Sequence, residues 1–236
     1  MRYKQWIFIG VLIVFLLTCG RIDLLAADTG FSTTKASSEE ATFPQNVELS
    51  LLESEPSKRT IDCFDVNEEG MVAVGCSKYE SRTVCVYTSE GHFQYGYSFK
   101  SFGAFEVELN EDILNIYFVL ENAAIVVNPL GEVLEVFEIP RTTENETYWK
   151  YLYYSTHRKT ADAEYTMKND RKFLQFFATS YSQITVKYAD GQESILYDVT
   201  AAQMAKVIGN IILFMAVFLL VVIVIVRYSI KLKQRP

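Results

Sequence analysis

The chain has 236 residues, half of them hydrophobic and 22% charged, with a formal net charge of −7. All 29 acidic residues, but only 16 of the 22 Lys and Arg, lie between residues 19 and 206. A middle that acidic argues against nucleic-acid binding, which needs clustered Lys and Arg, and 14% aromatic residues argue against a disordered chain.

Residues 1–27 form the first block. Arg2 and Lys4 precede Trp6–Thr18, thirteen positions without a charge. A basic start before a short apolar run predicts a signal peptide, with a signal anchor as the alternative. Residues 28–57 are rich in Ser, Thr, Glu and Ala and read as a flexible spacer. Only Val47–Glu53 within it has the pattern of a strand.

Residues 58–200 read as an all-β ectodomain built from repeats, the feature to seek before individual elements. The repeats are 61–99, 104–139 and 162–199. Each opens on an alternating run, passes an Asn in an acidic turn (Asn67, Asn110, Asn169) and reaches a turn ending in Gly (Gly91, Gly131, Gly191). Asn, Asp, Glu and Gly clustered between β-rich runs mark hairpins. Each repeat is therefore expected to be a four-stranded antiparallel meander, roughly Ile61–Val66, Met71–Ser77, Arg82–Thr88 and Phe93–Phe99 in the first. A meander of about 40 residues has the size of one propeller blade. The phrase FDVNEEGMVAVG, residues 64–75, resembles the first hairpin of blades in the NHL and YWTD-like β-propeller families. The resemblance is one of pattern and implies a fold type without a specific function. No Tyr-Trp-Thr-Asp and no Trp-Asp dipeptide occurs. Three repeats also fall short of the four to eight blades of a closed ring. An arc of three would leave two apolar blade faces open, for a partner or a second copy to cover; the alternative is that the blades pack in a non-propeller way.

Between the second and third repeats, residues 140–161 form an insert with Tyr148, Trp149, Tyr151, Tyr153 and Tyr154. In an extended insert Trp149, Tyr151 and Tyr153 would point one way. These five residues are the candidate binding site, for a protein partner or a glycan. The alternative is that they fill a core or cover a blade face. Asn145-Glu146-Thr147 is a glycosylation sequon.

Val207–Val226 is twenty positions without a charge, about 30 Å as a helix. It predicts a transmembrane helix, and the basic tail 227–236 predicts a cytoplasmic C-terminus. The middle domain would then be extracytoplasmic at the cell membrane. No ionisable residue falls within the span, so a proton or ion path is not expected.

Chemical motifs are few. Cys63, Cys76 and Cys85 all lie in the first repeat. A disulfide among them is allowed outside the membrane, the alternative being small buried apolar side chains. No metal site or cofactor is expected: no C-x₂-C spacing exists, and Cys76 stands where a calcium loop beginning at Asp65 would need Glu. His92 and His157 belong to no catalytic spacing, which points away from an enzyme. The leading expectation is a membrane-anchored binding or scaffolding protein that docks a protein partner or self-associates. A glycan-binding or glycan-acting ectodomain, and a ligand sensor signalling through a partner, are the alternatives.

Overall fold

The computed structural model describes residues 29–35, 48–170 and 180–233. The signal or anchor segment expected at 1–27 lies outside the described residues. The described chain is mostly β, in three antiparallel sheets, with one short and one long helix. Among the described residues the sheets do not close into a barrel.

The first sheet holds β2 (Ser50–Leu51), β3 (Ile61–Val66), β4 (Val72–Lys78), β5 (Ser81–Tyr87) and β6 (Phe93–Lys100), in the order β2-β6-β5-β4-β3. The second holds β1 (Thr34–Lys35), β7 (Phe105–Asn110), β8 (Ile113–Phe118), β9 (Ala123–Val127) and β10 (Val133–Glu138), in the order β1-β10-β9-β8-β7. The third runs β11 (His157–Lys159), β12 (Ala163–Lys168), β13 (Gln183–Tyr188), β14 (Glu193–Asp198) in sequence order. Helix α1 (Thr143–Tyr154) lies between β10 and β11, and α2 (Thr200–Lys233) follows β14.

The first two sheets are the meanders read from repeats 61–99 and 104–139. The third differs: its first strand, β11, comes from the insert, and β12 pairs directly with β13 from Lys168↔Gln183 to Ala163↔Tyr188. The residues 28–57 are not all spacer either. Ser50–Leu51 pairs with β6, within the segment whose alternation marks a strand, and Thr34–Lys35 pairs with the edge of β10. Two-residue edge strands carry almost no periodic signal, so Thr34–Lys35 has none to read.

The Gly turns explain why the hairpins form. Gly70, Gly91, Gly131 and Gly191 have φ between +80° and +87°. In each turn the Gly N–H donates to the carbonyl three residues earlier: Asn67, Thr88, Asn128 and Tyr188. That is a tight turn closed by one left-handed residue, a conformation glycine adopts without steric cost.

The sheets stack in layers. Ile61, Phe64, Val72, Val74 and Tyr87 of the first sheet pack on Tyr165, Met167, Ile184, Val186 and Tyr197 of the third. From its other face Cys63, Ala73, Val84, Val86 and Phe99 pack on Phe105, Val107, Ile116 and Ile125 of the second. Burial on both faces explains why β4 reads as an unbroken apolar run, VAVGC. The far face of the second sheet is closed by Phe31, Trp149 and Leu152, which cover Tyr117, Ala124, Val126 and Phe137. On the third sheet Glu164 and Lys187 are exposed and alternate with core residues, so the described outer face carries charged groups beside the exposed Ile195. Among the described residues, neither end of the stack is a continuous open apolar face of the kind expected of a three-blade arc.

The first strands of the three meanders lie together, β3 beside both β7 and β11. At the C-terminus α2 contains a stretch, Thr200–Ile225, within which 18 consecutive residues reach a mean hydropathy of 3.1. That is long and apolar enough to be compatible with a membrane anchor.

Candidate functional site

The aromatic part of the insert, Thr143–Tyr154, is a helix, not an extended strip, and this corrects the expected one-sided display of Trp149, Tyr151 and Tyr153. Thr142 caps α1: its Oγ1 accepts the Asn145 N–H at 3.2 Å, and Glu144 and Glu146 lie in the first turn, where the helix dipole favours acids. Asn145, Tyr148, Trp149 and Leu152 follow the i, i+3, i+4, i+7 spacing of one helix face, and that face turns inward. Asn145 is buried: its Oδ1 accepts from Ser32 N–H at 2.9 Å and its Nδ2 donates to Ser32 O and Pro140 O. The amide nitrogen a glycan would need is thus tied into the fold. Phe31 packs edge-on to Tyr148 at 4.6 Å and beside Trp149 at 4.7 Å. Tyr151, Tyr153 and Tyr154 face out, 56%, 53% and 74% exposed. The five sequence-predicted residues therefore split: Tyr148 and Trp149 attach the helix, and three tyrosines form its outer surface.

Beneath and beside α1 the inner strands assemble a buried polar cluster that the sequence reading did not single out. On β7, Phe105, Val107 and Leu109 enter the core between the sheets, so Glu106 and Glu108 turn to the other face. The hydroxyls of Tyr117 and Tyr148 both donate to the Glu108 carboxylate. Asp65 of β3 accepts the Leu109 N–H at 2.8 Å on one oxygen and pairs with Arg158 Nε of β11 at 2.6 Å on the other. The Arg158 guanidinium lies over the rings of Phe64 and Tyr151, at 5.4 and 5.8 Å. One ion pair thus links β3 of the first sheet to β11 of the third, and the Leu109 N–H links Asp65 to the first strand of the second meander.

Burial pushes the Asp65 carboxyl up, against the pull of Arg158. It pushes Glu108 up against its two tyrosine donors, and Glu106 up to about 8, with Arg158 offsetting part of the shift. Glu106 is therefore mostly protonated at neutral pH, and the cluster carries less negative charge than its composition suggests. The signal for this cluster was the strict alternation Phe-Glu-Val-Glu-Leu in β7. Alone it reads as a solvated acidic face; in the fold Arg158 of β11 and Tyr148 of α1 approach that face.

Other candidates stand apart from the cluster. His157 is exposed, its Nδ1 3.1 Å from Thr166 Oγ1, and His92 lies 4.0 Å from Glu90 in an exposed turn. Cys63, Cys76 and Cys85 are free and buried. Burial pushes the Cys76 thiol up to about 12 and the Cys85 thiol up to about 11, so neither is a ready nucleophile. The run opening at Asp65 is a hairpin turn: Asn67 Oδ1 accepts the Met71 N–H at 2.8 Å, and its Nδ2 donates to Glu111 O. Among the described residues no group of three or more His, Cys, Asp or Glu is placed to hold a metal ion. Two open clefts, about 280 Å³ at Lys159–Glu164 with Lys187–Ala189 and about 250 Å³ around Glu48, Ser50, Ser98 and Lys100, do not include the cluster.

In class this is a mostly-β protein of three stacked antiparallel sheets with an apolar C-terminal helix. No protein-family model matches the chain, and no curated protein matches it. Among solved structures, the crystal structure of Kluyvelomyces marxianus Hsv2 aligns over 61% of this chain and half of its own length, at 7% identity and a TM-score of 0.27.

Proposed function

We propose that this is a membrane-anchored binding or scaffolding protein. Its β-domain faces away from the cytoplasm and docks a protein partner through the outer face of α1. The sheets act as blades of a short propeller-like arc, each with its first strand innermost. The observation that carries the reading is the exposure of Tyr154, with Tyr151 and Tyr153 on its two flanks, on a helix whose opposite face is fixed by Asn145, Tyr148, Trp149 and Leu152. Tyrosines held on a rigid element lose little entropy on binding and recur among the residues that dominate interface energy. With the far face of the second sheet covered by Phe31 and α1, the partner in this reading binds the helix and does not complete that core.

A photo-crosslinking amino acid at Tyr154 in the full-length chain, in its own membrane, should capture a defined protein that the same group at Glu132 does not. Identical products at the two positions would remove α1 as the docking face. The orientation has a separate test. His92→Cys should react with an impermeant maleimide on intact cells; reaction only after permeabilisation would place the domain inside.

A further inference from the structure

The strand directions sort the loops into two ends. Val199 N–H donates to Ser182 O, and Tyr181 bridges Ile61, so the start of β3 lies at the end from which α2 leaves. The antiparallel ladders carry that end across the sheets through Lys78↔Ser81, Ser81↔Lys100, Phe105↔Phe118 and Ala123↔Glu138. The turns at Gly70, Gly91, Gly131 and Gly191 lie at the opposite end.

At the α2 end, three neighbouring loop tips each carry a large exposed apolar or aromatic side chain: Tyr79 at 89%, Phe102 at 79% and Leu120 at 65%. They are held together. Arg82 is buried, and its guanidinium donates to Tyr79 O and to Gly103 O, clasping the first two loops. Gly103 lies against Leu120: a Cβ there would stand 2.8 Å from Leu120 Cγ. Tyr79 also has φ +56°, a left-handed conformation costly for an aromatic residue and set by the two-residue turn between β4 and β5.

The start of α2 belongs to the same end. Gln203 Nε2 donates to Ser180 O at 2.9 Å, and Val207 is buried, so the first two turns of the helix rest on the domain. Lys206 is the last charge before the apolar stretch. The onset of the apolar stretch and the three loop tips thus share one end of the domain.

We propose that this end of the β-domain rests on the lipid surface, with Tyr79, Phe102 and Leu120 entering the boundary between headgroups and acyl chains. The proposal rests on the membrane-anchor reading of α2. Tyr and neighbouring apolar side chains suit that boundary, where one end of a side chain is apolar and the other wet. A shallow patch of this kind holds an interfacial element a few ångströms into the bilayer. The anchor supplies proximity, and the tips fix the tilt of the domain, so α1 is presented at a set height above the membrane.

The test uses the full chain in a Cys19→Ser background, reconstituted without other proteins in phosphatidylcholine–phosphatidylglycerol vesicles. An environment-sensitive fluorophore is attached in separate variants at Phe102→Cys, at Leu219→Cys within α2 and at His92→Cys at the opposite end. Unreactive Cys63, Cys76 and Cys85 report that each variant is folded. The expected result is blue-shifted emission and quenching by spin-labelled lipid at 219 and 102, with 92 quenched only by aqueous iodide. A label at 102 that behaves like 92 while 219 senses lipid would overturn the resting surface and leave the anchor standing; it would make the tips a protein-docking patch. A label at 219 that does not sense lipid would overturn the anchor, and this proposal with it.

Discussion

Arg158 is surrounded by more carboxyl groups than it can neutralise. Its pair with Asp65 is nearly buried, and removing one partner of such a pair leaves an uncompensated charge in a poor solvent. Arg158→Met should cost about 3 kcal/mol or more, read as a lowered unfolding midpoint of the detergent-solubilised full chain. The double variant Arg158→Met with Asp65→Asn should lose less than the two single losses summed; strict additivity would show that the pair is not coupled. Glu106 gives a pH dependence whose sign is fixed by its raised value. Its folded pKa of about 8 lies above the unfolded one, so the folded chain holds a proton that the unfolded chain releases. Stability from this group is therefore full below the unfolded carboxylate range and falls as pH rises towards 8. Asp65 and Glu108, also raised, act in the same direction. Glu106→Gln should flatten the fall between about pH 5 and 8; an unchanged slope in thermal unfolding would show that Glu106 titrates normally. The cysteines make a third expectation at this scale. Cys63, Cys76 and Cys85 should stay unmodified by maleimide in the folded chain and all react after denaturation without reductant. A thiol that appears only on reduction would reveal a disulfide.

At the scale of the element, α1 shows how one short helix does two jobs. Its inner face closes the second sheet, and its outer face stays free. Leu152→Ala should destabilise by about 2–5 kcal/mol, as buried large-to-small changes do. Tyr154→Ala should stay within about 0.5 kcal/mol, because its side chain is exposed. Equal losses in denaturant melts would show that the outer face is also structural. The helix was legible in principle: Thr142 before Asn145, acids in the first turn, and 145, 148, 149, 152 at helical spacing. The five aromatic residues drew the reading towards an extended strip, since aromatics favour strands and the i, i+3, i+4 pattern is short over twelve residues. The Gly-terminated hairpins were legible with no such conflict, because a left-handed turn residue is a local requirement that one residue type meets without strain.

For the whole molecule, the question is how a stack of three sheets ends. One end is capped by a helix and Phe31; the other carries Glu164 and Lys187 on its outer face. Phe31→Ala should cost about 3–5 kcal/mol and raise binding of a hydrophobic dye, since it opens the far face of the second sheet. No gain in dye binding would mean that α1 alone seals that face. The sequence by itself determined the mostly-β character of the middle, the two meanders 61–99 and 104–139, the Gly-ended turns and the apolar C-terminal helix. Those features depend on neighbours a few residues away or on the composition of one segment. Tertiary structure decided which faces are buried. Glu106 and Glu108 alternate as a solvated strand would, and only the approach of Asp65 on β3, Arg158 on β11 and Tyr148 on α1 makes them interior. Likewise Tyr79, Phe102 and Leu120 are unremarkable loop residues in sequence. They become one surface because antiparallel pairing brings distant loops to the end where α2 begins.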